Sequence, residues 1–201
     1  MIQDMKFLVL QHINIEHPGI FLDFMKKDKI HIDTVELDEG EKIPKLDSYD
    51  AMIVMGGPMD TWQEETYPWL KTEKEEIHKF VSVMKKPFLG LCLGAQLLSE
   101  VVGGKVRKMN TPEIGVMDIS ITNNSSIFSG MNKNLKVLQW HSYEVCDLPK
   151  NTELVFLFAN PASPMPGAKR RKDGTKRSHA EWANKNKFTW YTEETLPESW
   201  R

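Results

Sequence analysis

The 201-residue sequence predicts an α/β fold made of βαβ units first and a more meandering β section after them. Three observations carry this expectation. Short continuous apolar runs, typical of strands covered on both faces, recur at Phe7-Leu8-Val9-Leu10, Ala51-Met52-Ile53-Val54-Met55 and Phe88-Leu89. Segments with helical apolar spacing lie between them. Glycines follow two of the runs, at Gly56-Gly57 and in Gly90-Leu91-Cys92-Leu93-Gly94, where open parallel sheets keep their sites.

After the first run, His17-Pro18-Gly19 punctuates, and Ile20, Phe21, Phe24 and Met25 recur with helical spacing up to Lys26-Lys27. His31 to Leu37 alternates polar and apolar, as a half-buried strand does. The Ala51–Met55 strand runs straight into Gly56-Gly57-Pro58-Met59, either a plain loop or an exposed backbone N–H, from Gly57, that a substrate can approach. A long charged helix is expected from Tyr67-Pro68-Trp69-Leu70 to about Lys86, with Leu70, Ile77, Phe80, Val81 and Met84 inward. Its Lys71, Glu73, Lys74, Glu75, Glu76 and His78 read as a solvated face. His12, His17 and His31 have no clustered partners and read as surface or hydrogen-bonded histidines.

Beyond position 98, Val102-Gly103-Gly104 ends a helix and Lys105-Val106 starts a strand. Glu113-Ile114-Gly115-Val116 leads into an antiparallel strand, Ile119 to Thr122, and Asn123 to Ser126 is a turn. Leu135 to Val145 carries a further strand and then a polar loop around His141-Ser142-Tyr143, and Leu154 to Ala159 is one more apolar strand. Cys146 reads as a packed or partly exposed thiol without a role.

Composition narrows the function classes. A net charge of −2 and a pI near 6.3 ask for neither nucleic acid nor an anionic membrane. Two cysteines without metal-ligand pair spacing suggest neither a disulfide scaffold nor a zinc site and fit a reduced cytoplasmic setting; no metal and no cofactor are expected. The first residues lack a signal-peptide pattern and no apolar stretch is long enough to span a bilayer, so an intracellular protein is expected.

The segment from Pro87 to Leu98 organises the rest. A strand that turns abruptly into a small-residue helix, with Cys92 at the bend between Gly90 and Gly94, has the form of a nucleophile elbow. A thiol there faces unpaired backbone N–H groups and the positive end of the helix dipole, which favour thiolate. The Leu93 N–H is placed to stabilise an oxyanion. The competing reading is a small buried residue closing a core strand.

Taken together, Met55-Gly56-Gly57-Pro58-Met59, Tyr67-Pro68-Trp69-Leu70, Gly90 to Leu98, Gly103-Gly104-Lys105-Val106, Glu113-Ile114-Gly115 and Trp140-His141-Ser142 resemble the class I glutamine amidotransferases, close to stand-alone relatives of the GMP synthase glutaminase domain. The pieces fall in the family's order over roughly residues 5 to 165. The resemblance implies a flavodoxin-like open, mostly parallel sheet flanked by helices, with a smaller antiparallel β section. It implies glutamine as substrate and an ammonia-accepting synthetase as partner. Carried over by position, Cys92 is the nucleophile, Gly57 and Leu93 supply the oxyanion N–H groups, and Gly56, Gln96, His141, Ser142 and Tyr143 bind substrate. Core anchoring remains the alternative for Gln96, and a plain strand end for Trp140-His141.

The family completes its triad with a histidine and a glutamate on a late strand, and the matching residues are His179 and Glu181. The strand expected before them is replaced by Lys169-Arg170-Arg171-Lys172-Asp173-Gly174-Thr175-Lys176-Arg177-Ser178, too basic to be buried in a sheet. The chain is therefore expected to divide into a 1–165 core and a divergent 166–201 segment. Three accounts of that segment stay open: a triad carried on an unusual surface stretch, loss of the base with binding retained, or a compensated frameshift. The function expected is a glutamine-hydrolysing amidotransferase, and the alternatives are a γ-glutamyl hydrolase of the same fold or a catalytically impaired binding or scaffold homologue.

Overall fold

A computed structural model describes residues 5–121, 130–147 and 156–158. Its strands and helices are β1 (Lys6–Gln11), α1 (Ile20–Lys27), β2 (His31–Glu36), β3 (Ala51–Val54), α2 (Trp69–His78), β4 (Phe88–Gly90), α3 (Leu93–Val101), β5 (Lys105–Ile121), β6 (Asn134–Asp147) and β7 (Phe156–Phe158). The described residues fall into two compact units, 5–112 with 141–147, and 113–121 with 130–140 and 156–158.

The first unit holds a four-stranded sheet in the order β2-β1-β3-β4. Every pairing in it is parallel, with Phe7 opposite Ile32 and Ala51, and Val54 opposite Gly90. Successive side chains on a strand point to opposite faces, and the core divides accordingly. Leu8, Leu10, Met52 and Val54 pack with Leu70, Ile77 and Phe80 of the α2 region and with Leu93 and Leu97 of α3. Val9, Ile53 and Met55 pack on the other face with Met25 and Leu22 of α1. This is the expected open parallel sheet flanked by helices.

Several elements depart from expectation. Only Met25 of α1 is buried, while Ile20, Phe21 and Phe24 stay exposed, because the helix reaches the sheet through Leu22 and Met25. The long charged helix is α-helical only to His78 and continues as a π-helical turn over Lys79–Val83. Leu89 of β4 is exposed, so this strand is less covered than its apolar run implied. Among the described residues β4 ends the sheet.

The second sheet has the order β6-β5-β7, with β5 antiparallel to β7 through Ile119–Phe158, Ser120–Leu157 and Ile121–Phe156. β5 is one strand from Lys105 onward, longer than the Ile119–Thr122 strand expected. His141-Ser142-Tyr143 lie within β6, not in a loop after it. The expected turn at 123–126 and everything beyond 158 lie outside the described residues. No described helix is long and apolar enough to cross a membrane.

One packing contact fixes the whole first unit. A Cβ added at Gly94 would run into the Val54 carbonyl and lie 2.9 Å from the Val54 Cβ; one added at Gly90 would lie 2.6 Å from the backbone of Gly94 and Ala95. Gly94→Ala should therefore destabilise the protein by about 1–3 kcal/mol, the usual cost of overpacking. A chemical-denaturation midpoint equal to that of the unaltered chain would show that α3 does not press on β3 this closely.

Candidate active site

The carboxyl ends of β1, β3 and β4 lead directly into His12, Gly56-Gly57 and Cys92. β1 is followed by β2 on one side of it while β3 lies on its other side, so this is the switch point of the sheet, where ligands bind in open α/β folds. Cys92 is the residue before α3, with φ 50° and ψ −108°. A left-handed φ at a non-glycine residue costs on the order of 1–3 kcal/mol and persists only where its surroundings impose it. They do here: Leu91 N–H donates to the Val54 carbonyl at 2.9 Å and Gly94 N–H to the Met55 carbonyl at 3.1 Å. The elbow read from Gly90-x-Cys92-x-Gly94 is thus present, and no side chain caps the start of α3.

The thiol is solvent-exposed, not sealed at a strand end. Its protonation departs from the sequence expectation. Burial of much of its surroundings pushes the Cys92 pKa up, and the Glu16 charge raises it further; the hydrogen bond from the Leu93 N–H opposes both without overcoming them. The helix-end effect is real but outweighed. Glu16, whose own pKa is raised by burial and lowered in part by His12, was not singled out in the sequence. Its carboxylate fills the space a Gly56 side chain would need, and a Gly56 Cβ would also touch the Cys92 Cβ at 3.4 Å. Gly57 is enclosed in turn: an added Cβ would lie 2.9 Å from the His12 Cβ and 3.2 Å from a Leu93 methyl. Gly56, Gly57, Cys92 and Leu93 therefore lie close together.

His12 is the main surprise. It is fully buried, with Nδ1 2.7 Å from the Gly56 carbonyl and Nε2 2.9 Å from Glu73 Oε1, and it stacks on Trp69 at 5.4 Å. A carbonyl only accepts, so Nδ1 carries a proton. Burial by itself would lower the His12 pKa; the Glu73 hydrogen bond and charge, the Gly56 carbonyl and the Glu16 charge together raise it. Glu73 is also fully buried, correcting its assignment to the solvated face. The signal was available: Glu73 follows Leu70 by three and precedes Ile77 by four, inside the apolar stripe of α2. His17 and His31 are exposed, as expected.

Of the remaining predicted residues, Gln96 donates from Nε2 to the Tyr143 carbonyl at 3.3 Å, and His141 Nδ1 lies 2.9 Å from the same oxygen. Tyr143 meets Trp62 edge-on, with ring centroids 4.6 Å apart. Thr61, fully buried, donates to Glu100 of α3 at 2.6 Å and so ties down the chain that follows Gly57. Ser142 is half-buried on β6 and Cys146 is exposed. His179 and Glu181 lie outside the described residues. No cluster of metal-ligating side chains occurs among the described residues.

Residues 22–174 match the family model described as glutamine amidotransferase class-I. A glutamine-hydrolysing GMP synthase subunit from Saccharolobus solfataricus is 32% identical over 124 residues, 59% of this chain and 60% of that protein. Gamma-glutamyl peptidase 2 of Arabidopsis thaliana is 31% identical over 114 residues, covering 55% and 45% of the two. The crystal structure of a glutamine amidotransferase from Thermotoga maritima superposes with a TM-score of 0.70 at 33% identity, covering 76% of this chain and 66% of that one. The chain spans about three fifths of the length of the GMP synthase subunits it matches.

Because Glu16 raises the Cys92 pKa, Glu16→Gln should lower the pH midpoint for alkylation of Cys92 by iodoacetamide and speed the reaction at neutral pH. Peptide mass spectrometry separates this thiol from Cys146. An unshifted midpoint would mean that the Glu16 charge does not reach the sulfur.

Proposed function

The chain belongs to the class I glutamine amidotransferase family, and on that premise we propose that it hydrolyses glutamine to glutamate and ammonia through a thioester on Cys92. The observation that carries the proposal is the strained Cys92 backbone, an exposed thiol held at φ 50° beside the Gly56-Gly57 loop. The thiolate attacks the side-chain amide carbon, and the negative charge moves to the carbonyl oxygen. The Leu93 and Gly57 N–H groups are the donors for that oxyanion. Its collapse expels ammonia, which takes the proton the base removed from the thiol, and leaves the γ-glutamyl thioester. Water activated by the same base then releases glutamate and restores the thiol. His179 is the base in this reading and Glu181 orients it, while Gly56, Gln96, His141, Ser142 and Tyr143 hold the substrate. The raised Cys92 pKa gives the base a definite task, since a thiol protonated at neutral pH has to be deprotonated during the reaction.

Likeness to GMP synthase subunits supports an ammonia-accepting synthetase as partner, in the cytoplasm. Likeness to the Arabidopsis gamma-glutamyl peptidase supports a second reading, in which γ-glutamyl conjugates are cleaved with water as acceptor and no partner is needed.

The decisive assay measures ammonia released from glutamine by the full chain, beside cleavage of a γ-glutamyl conjugate. Turnover of glutamine is expected, with Cys92→Ala reducing it to background and His179→Ala lowering kcat by about 10²–10⁴-fold. Cleavage of the conjugate alone favours the second reading. Intact turnover in His179→Ala removes that residue as base, and His141 becomes the next to test.

A further inference from the structure

Resting on the glutaminase reading above, we propose that the buried His12–Glu73 pair is a positioning device that locks the Gly56–Gly57 peptide so that its N–H faces the nucleophile. A trans peptide unit is planar and sends its C=O and N–H in opposite directions, so fixing one fixes the other. His12 holds the Gly56 oxygen at 2.7 Å, and the N–H opposite that oxygen belongs to Gly57. The peptide needs such a hold. Both of its residues are glycines because Glu16 occupies the place of one side chain and His12 that of the other, so no side chain restricts the link. Turned over, it would present a carbonyl oxygen where negative charge develops.

His12 is itself immobile. Its ring has no exposed surface, stacks on Trp69 and meets Glu73 of α2 at 2.9 Å. Core stability does not account for the pair. Replacing a buried ion pair by apolar residues is often neutral or stabilising, and here Glu73 Oε2 is buried with no hydrogen-bond donor among the described residues. An arrangement that strands a carboxylate oxygen while holding the Gly56 carbonyl fits a positioning requirement better than a packing one. Among the described residues, the other titratable group that acts on both the ring and the sulfur is Glu16, on the loop after β1.

The test uses the full chain with His12→Phe, which keeps the stack on Trp69 without a donor, and His12→Asn, which keeps an N–H near the place of Nδ1. Losing one oxyanion donor costs about 10²–10³ in kcat, so His12→Phe should lower kcat for glutamine about 10²-fold while KM stays within about twofold. Alkylation of Cys92 by iodoacetamide forms no oxyanion and should keep its rate, and His12→Asn should recover most of the lost kcat. Crystals of His12→Phe should show the Gly56–Gly57 peptide turned. An unchanged kcat, an equal fall in both variants together with alkylation, or an unturned peptide would overturn the proposal. If His12→Phe does not fold, Glu73→Leu carries the same test, and an unchanged kcat there overturns it too. Absence of glutamine turnover in the unaltered chain would sink the glutaminase reading instead, and the peptide orientation in the variant crystals still decides the clamp.

Discussion

The backbone of residues 91–94 pressed against the end of β3 is the constraint on which the rest of the first unit depends. Two hydrogen bonds, to the carbonyls of Val54 and Met55, bring the end of β4 and the start of α3 onto the strand that feeds Gly56-Gly57. Only a residue without a side chain fits at 94, since a Cβ there would run into the Val54 carbonyl. The same contact forces Cys92 into the left-handed region and delivers its sulfur to solvent at the sheet's switch point. Fold and candidate site thus share one contact: sheet register places Cys92, and the two glycine positions let it stay there.

Electrostatics around the sulfur run against the simplest expectation. Helix ends favour thiolates, yet burial and the Glu16 carboxylate together keep this thiol protonated at neutral pH more firmly than an ordinary cysteine. On the glutaminase reading proposed above, the proton leaves the thiol as the substrate reacts. The charges of Glu16 and Glu73 both push the His12 pKa up, against its burial.

Much of this was legible in the sequence. Apolar runs gave β1 and β3, the alternation from His31 gave β2, and Gly90-x-Cys92-x-Gly94 gave the elbow, because each depends on local pattern or local sterics. What pattern could not show was partnership across long separations. His12 and Glu73 are 61 positions apart, and neither has a partner in its local sequence. Glu16 acquires meaning only once Gly56 is folded beneath it. The apolar residues of α1 misled for a related reason: helical spacing identifies a helix, but the sheet takes only Leu22 and Met25 from it. His141 to Tyr143 read as a loop because polar residues interrupt the run, although β6 continues through them.

The central claim, that Cys92 carries the substrate through a covalent intermediate, is tested most directly by quenching the full chain in acid during turnover of glutamine and mapping the peptides by mass spectrometry. A γ-glutamyl thioester on the Cys92 peptide is the predicted result. A chain that releases ammonia with no adduct there, or with the adduct on Cys146, would contradict it.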